Sequence, residues 1–234
     1  MIIEVYKPIG TTCVELINNF KNNNTEIKKL CFAGRLDPLA HGKLYILTND
    51  DVYKKEIVCN YDKIYETYVI NGIVTDTYDI MGIPRLTDKI SNIKNNIKIG
   101  ERFKQKYPPY SSVIVKKYHK PYWYVAKNKL EISDDDIPTN DIEIKKLEIL
   151  EEFDTDKEKL FELITSKIAL INTKYDFRQN EIINCWKSLL EKHNDNIHIT
   201  KIKVLCTSGT YIRNIANVMN GCCYDIHRTS YVNE

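Results

Sequence analysis

Gly34-Arg35-Leu36-Asp37-Pro38-Leu39-Ala40-His41-Gly42 sets one acidic side chain between glycine and proline brackets, beside an arginine. Glycine admits positive φ and close backbone approach. Pro38 fixes its own φ and has no N–H to donate, so the segment is expected to be a rigid, shaped loop and not regular helix. Asp37 is thereby held in place, as a catalytic carboxylate must be. A bare G-x-x-D-P is also ordinary turn chemistry, and its spacing alone does not separate the two uses.

Outward from the loop, the chain alternates strand and helix patterns. Ile2 to Tyr6 reads as a strand broken by Lys7-Pro8-Ile9-Gly10. Thr12-Cys13-Val14-Glu15 fits a capping box, and Val14, Ile17 and Phe20 give the following helix its apolar stripe until Lys21-Asn22-Asn23-Asn24 ends it. Ile64 to Asn71, Val113 to Tyr118, Ile142 to Leu150 and Ile197 to Cys206 read as further strands. Ile90, Ile93 and Ile97 mark a short helix, and Ile212, Ile215, Ala216 and Met219 another after Gly209-Thr210. Asp156 to Lys192 carries two more helical patterns, Leu160, Leu163, Ile164, Ile168 and then Ile182, Ile183, Trp186, Leu189, Leu190.

A chain of 234 residues with 43% hydrophobic content can bury a sizeable core as one domain. No apolar run approaches the roughly 20 residues of a membrane span, and Met1-Ile2-Ile3-Glu4 is not a signal-peptide start, so a soluble cytoplasmic protein is expected. The seven cysteines include no C-x-x-C pair, which points to reduced, mostly buried thiols and no metal site. Net charge is only +2 but unevenly spread. Between Glu101 and Leu130 eight basic side chains face one acid, interleaved with Phe103, Tyr107, Tyr110, Tyr118, Tyr122, Trp123 and Tyr124. Such a mixture suits neutralised phosphates and stacked, unpaired bases. From Glu131 to Glu162 thirteen acids outnumber four lysines.

The segment Gly34 to Leu47 resembles the G-x-L-D-P-x-A-x-G signature of the TruB family of pseudouridine synthases, and other segments agree in order. Lys7-Pro8-Ile9-Gly10 is similar to the family's K-P-x-G opening. Lys63-Ile64-Tyr65 and the run from Gly72 to Asp79 resemble its K-x-Y strand and G-x-x-T-D-T-x-D turn. Pro108-Pro109-Tyr110-Ser111 with Ala126-Lys127, Gly209-Thr210-Tyr211-Ile212-Arg213 and Ile226-His227-Arg228-Thr229 complete the set.

The resemblance implies an α+β pseudouridine synthase fold, a mixed and largely antiparallel sheet flanked by helices around a central RNA cleft. One catalytic domain would span residues 1–234, with a helical insertion at 153–194, where the family's interval is short. The reaction it implies is isomerisation of uridine to pseudouridine in RNA, a tRNA T-loop being the substrate expected, without cofactor or metal. That chemistry needs a carboxylate near the sugar and base, a cation that keeps it ionised, and a flat partner for the extruded base. By the resemblance these are Asp37, Arg213 and Tyr65, Tyr65 also taking the C5 proton. Attack at C1′, attack on the base and proton removal at C2′ are all open to Asp37, with reaction at the sugar preferred. Substrate contacts are expected from Arg35, Phe32, Lys7, Tyr211, Ile226, Arg228 and Lys116, with Ile226 against the base and Arg228 on the RNA backbone or a phosphate.

Two departures stand out. Phe32 occupies the position where the family commonly has a histidine. The chain also ends at Glu234 without a segment resembling the family's C-terminal RNA-binding PUA domain, so a stand-alone monomer that uses no guide RNA is expected. Two other function classes were weighed. One is an RNA-binding or RNA-folding protein of the same fold that has lost catalysis. The other is a carboxylate glycoside hydrolase, for which Asp50 and Asp51 are the only second acids close in sequence.

Overall fold

Alternation along the strands, with period two, builds a sheet whose two faces both carry apolar side chains. The computed structural model describes residues 1–87, 97–193 and 196–233. Its main sheet has eight strands. They are β1 (Ile2–Lys7), β2 (Leu30–Ala33), β3 (Ala40–Thr48), β4 (Asp62–Asn71), β7 (Arg102–Lys106), β10 (Thr139–Thr155), β11 (Ile197–Cys206) and β12 (Gly221–Val232). Their order is β1-β3-β12-β4-β11-β10-β7, with β2 paired to β3 off this path. Every pairing in it is antiparallel except β3 with β12, where Ile226, His227 and Arg228 run parallel to Ala40, His41 and Gly42. Two-stranded pairs form from β5 (Ile73–Thr75) with β6 (Pro84–Leu86) and from β8 (Ile114–Val115) with β9 (Lys120–Pro121).

On one face, Tyr65 and Val69 of β4 and Ile202, Val204 and Cys206 of β11 join a core with α1 (Cys13–Asn22) and α6 (Ile212–Val218). The capping box forms, Thr12 accepting from Glu15 N while Glu15 accepts from Thr12 N. The apolar stripe of α1 is rotated from its expected position. Cys13 and Leu16 pack inward, while Val14 is 51% exposed.

On the opposite face, Ile70 of β4 and Ile197 and Ile199 of β11 pack against α4 (Lys157–Ala169) and α5 (Gln179–Glu191). These are the two helices expected between Asp156 and Lys192. Their inward faces, Leu160, Ile164 and Ile168 with Ile182, Trp186 and Leu190, are buried. Trp186 Nε1 donates to Ile80 O at 3.1 Å. The residues at 153–194 therefore supply one side of a core and are not a surface appendage.

The expected strand Val113 to Tyr118 shrinks to β8, because Lys116 and Lys117 turn the chain into β9. Strand β10 outruns the expected Ile142 to Leu150, since β7 pairs with its start and β11 with the rest. Of the helix expected at Ile90, Ile93 and Ile97, the first two positions lie outside the described residues. In the basic stretch, Val115, Tyr122 and Val125 form a small core with Tyr107 and Tyr118, where α3 (Tyr122–Lys127) meets the hairpin. Part of its aromatic content is thus packing, although Trp123 and Tyr124 remain exposed. A sixth helix among the described residues, α2 (Lys55–Cys59), precedes β4. No helix among the described residues is long and apolar enough to cross a membrane.

Candidate active site

The Asp37 loop links β2 to β3 and is held at both ends. Gly34 begins it at φ +76°, a backbone conformation that costs an L side chain about 1–2 kcal/mol. Arg228, only 1% exposed, donates from Nη2 to Gly34 O at 3.0 Å and from Nε to Lys43 O at 2.7 Å. Lys7 lies at the other end with no exposed surface, donating from Nζ to Pro38 O at 3.2 Å, Ala40 O at 2.5 Å and Pro8 O at 3.0 Å. Gly10 N donates to Pro38 O at 2.9 Å, and Leu36 N donates to Cys13 Sγ at 3.3 Å. Gly42, at φ +114°, has no room for a side chain, since a Cβ there would lie 2.2 Å from Arg228 O. Loop shape is thus dictated by backbone carbonyls meeting buried donors.

Above this frame, Arg213 Nε sits 2.8 Å from Asp37 Oδ2 and 3.8 Å from Asp79 Oδ2. The Nε–H points off the line to either oxygen, so these are ion pairs and not linear hydrogen bonds. Nη1 donates to Thr77 O at 2.6 Å and to Pro109 O at 3.4 Å. Burial opposes the Arg213 charge, and the two carboxylates more than offset it, so its pKa is raised. Asp79 is buried and accepts from Thr77 Oγ1 at 2.6 Å and Met81 N at 2.9 Å. Burial pushes its pKa up, against Arg213 and the Thr77 hydroxyl. Asp37 keeps 31% of its side chain exposed, which makes it the carboxylate of the pair that a ligand can reach.

Beside the loop opens a cavity of about 360 Å³ lined by Phe32, Arg35, Lys63, Tyr65, Tyr211 and Arg228, among others. The Arg35 guanidinium lies 6.0 Å from the Phe32 ring centroid. Burial raises the Tyr65 phenol above its ordinary pKa despite the Arg228 guanidinium, whose Nη1 is 3.5 Å from the hydroxyl. Tyr211 is pushed up to about 12 by burial and then by the Asp37 charge. Its ring meets Tyr107 edge-on at 5.3 Å, and Gln105 Oε1 accepts from its N–H at 2.8 Å.

Of the residues singled out from the sequence, Asp37 and Arg213 form one pair, and Phe32, Arg35, Tyr65, Tyr211 and Arg228 share the cavity beside it. Ile226, 7% exposed, packs in the same core as Tyr65. Two of the expected substrate contacts, Lys7 and Arg228, are engaged with the chain itself. Lys7 has no exposed surface and braces the loop from beneath. Arg228 spends Nε and Nη2 of its guanidinium on the Lys43 and Gly34 carbonyls, with Nη1 facing the Tyr65 hydroxyl in the cavity. Lys116 is exposed on the β8–β9 turn and does not line the cavity.

Asp79 is the acid that sequence reasoning left without a task, although it closes the T-D-T-x-D turn. It meets Arg213 because Tyr78, at φ 67°, swings the chain so that Asp79 bridges to Cys223. Lys63 was also missed. It is 4% exposed, donates to Cys59 O and Tyr61 O, and is lowered to about 8 by burial. Its place two residues before Tyr65 on a strand, and so on the same face, was the available signal. Asp51 pairs with the Met1 amine at 2.8 Å and with Lys54 at 2.7 Å, remote in role from Asp37. The acid near Asp37 is instead Asp79, buried behind the shared arginine, a poor arrangement for two carboxylates flanking a glycosidic bond.

A family model described as the N-terminal domain of TruB family pseudouridylate synthases matches residues 22–171. The tRNA pseudouridine synthase B of Psychrobacter arcticus is 31% identical over 157 residues, covering 63% of this chain and 40% of that protein. Its counterpart in Clostridium tetani is 26% identical over 233 residues, covering 96% of this chain and 61% of that protein. The chain thus spans less than two thirds of the length of these curated relatives. Among solved structures, a chain of a Cbf5-Nop10-Gar1 complex is similar in fold, with a TM-score of 0.53 at 14% identity over 98% of this chain and 48% of that one.

Proposed function

The chain belongs to the TruB family of pseudouridylate synthases, and we propose that it isomerises uridine to pseudouridine in RNA, the uridine of a tRNA T-loop being its substrate. The observation that carries this reading is the Asp37–Arg213 pair at 2.8 Å beside an aromatic-lined cavity. In the reaction the bond from uracil N1 to ribose C1′ breaks, the base turns, and C5 bonds to C1′. The C5 proton leaves and N1 ends protonated, so no electrons are gained or lost.

Asp37, partly exposed and ion-paired, acts at the sugar, and Arg213 orients it. The extruded uracil occupies the cavity between Tyr65 and Tyr211, with the Phe32 ring in the space the base leaves behind. Tyr65 removes the C5 proton. Burial keeps it a phenol at neutral pH, so it first passes its own proton to the detached base, where N1 ends protonated, and then takes the C5 proton as the phenolate, which the neighbouring Arg228 charge stabilises. The exposed lysines between Lys104 and Lys129 hold the RNA backbone.

The test is incubation of T-loop RNA with purified protein and nucleoside mass spectrometry of the product. Asp37→Asn is expected to lower pseudouridine formation by at least about a thousandfold, as for loss of an essential nucleophile, with RNA binding retained. Near-normal product from that variant removes Asp37 from its role. Binding by the wild-type chain with no product favours the RNA-folding reading, for which the Phe32 substitution is the motive.

A further inference from the structure

The loop between α4 and α5 carries Arg178 in a left-handed conformation, φ 63°. Its side chain, 18% exposed, reaches across to the catalytic side. Nη1 donates to Asp76 Oδ2 at 2.9 Å, and the guanidinium lies 4.6 Å over the Tyr110 ring. Tyr110 is also left-handed, at φ 61°, and its hydroxyl donates to the same Asp76 oxygen at 3.3 Å. The other oxygen of Asp76 accepts from Ile83 N at 2.8 Å. Segments from three distant parts of the chain therefore meet on one carboxylate.

The immediate neighbours of Asp76 and Tyr110 are Thr77 and Pro109, whose carbonyls are the two that accept from Arg213 Nη1. We propose that Arg178 is a positioning residue: by tying Asp76 to Tyr110 it sets the Thr77 and Pro109 carbonyls and, through them, the Arg213 guanidinium against Asp37. An isolated surface ion pair contributes little to stability, whereas here two non-glycine residues are held in the left-handed region around one carboxylate. A planar guanidinium that donates in its plane while stacking on a ring is a task lysine does not perform. The clamp also gives α4 and α5 a task beyond covering the sheet, because from their connecting loop it acts on the segments that hold Arg213. The inference rests on the functional reading above.

The experiment is single-turnover pseudouridine formation, RNA binding and thermal melting for Arg178→Gly, Arg178→Lys, Asp76→Asn and the double variant Arg178→Gly with Asp76→Asn. Glycine takes φ 63° without strain, so Arg178→Gly removes the side chain while relaxing the backbone and should stay folded. Its rate is expected to fall by roughly tenfold, since misplacement by about 1 Å can cost a hundredfold, with RNA affinity within about twofold. Arg178→Lys recovers part of the rate. The double variant is no slower than the slower single one, because both break one device. Wild-type rates in both Arg178 variants, a loss confined to RNA affinity, or additive losses overturn the inference. An inactive wild-type chain instead overturns the functional reading and this inference with it.

Discussion

The cations around the Asp37 loop and those of the Glu101–Leu130 stretch are the same residue types in opposite settings. Lys7, Arg213 and Arg228 are 0%, 3% and 1% exposed, and each ends on backbone carbonyls or carboxylates of the chain itself. Lys104, Lys116, Lys120, Lys127 and Lys129 are exposed to solvent. The first group fixes where the Asp37 carboxylate sits, and the second keeps its charge at the surface. Proximity to a motif does not reveal which use a cation serves; burial does.

The comparison can be broken from either side. Arg228→Met leaves the Gly34 and Lys43 carbonyls without their donor. A loss of about 2–4 kcal/mol in urea unfolding is expected for two such groups, together with a steep fall in activity. An unchanged midpoint would mean that the loop does not depend on its clamp. A smaller effect is expected from Lys104→Ala with Lys116→Ala, two exposed lysines that do not line the cavity. RNA affinity should fall several-fold, and the slope of log affinity against log salt should drop by about 0.7–0.9 per lost phosphate contact. Unfolding should move by no more than about 0.5 kcal/mol. An unchanged salt slope would remove these lysines from the RNA surface.

The smallest effect concerns pH. Burial lowers both Lys7 and Lys63 to about 8 from an ordinary 10.5. Between those values the unfolded chain binds more protons than the folded one, so these lysines make stability rise from about pH 8 to about pH 10.5. Lys63→Met should flatten that rise in denaturation midpoints measured across the window. Because Cys206 and Cys223, pushed up to about 12 by burial, act in the opposite direction over the same window, the deciding comparison is between the two proteins, and an identical pH profile in Lys63→Met would show that this amine is not held as described.

Much of this was legible in the sequence where a local rule acts. The capping box at Thr12, the alternation in β4 and β11, and the helical periods of α4 and α5 follow from spacing alone, because each is enforced within a few residues. Asp37 was legible from its glycine and proline brackets, and Arg213 from a run of matching neighbours. The failures share one cause. Lys7 and Arg228 were assigned to substrate because their acceptors lie 31 and 194 residues away, at Pro38 and Gly34, and no local pattern announces a buried carbonyl. The short β8 and the long β10 miscarried for a related reason, since strand length there is set by a partner and not by the strand's own residues.

The parallel pairing of β12 with β3 bears on the order in which the molecule is made. The Asp37 loop leaves the ribosome early, but its clamp arrives with Arg228, 194 residues after Gly34. β12 must insert between β3 and β4, strands that share no direct pairing and stay apart until it arrives. Closure over such a span is slow compared with local hairpin formation. During synthesis the Asp37 carboxylate is therefore present long before the frame that holds it. Assembly of that frame becomes a late event, tied to completion of the sheet.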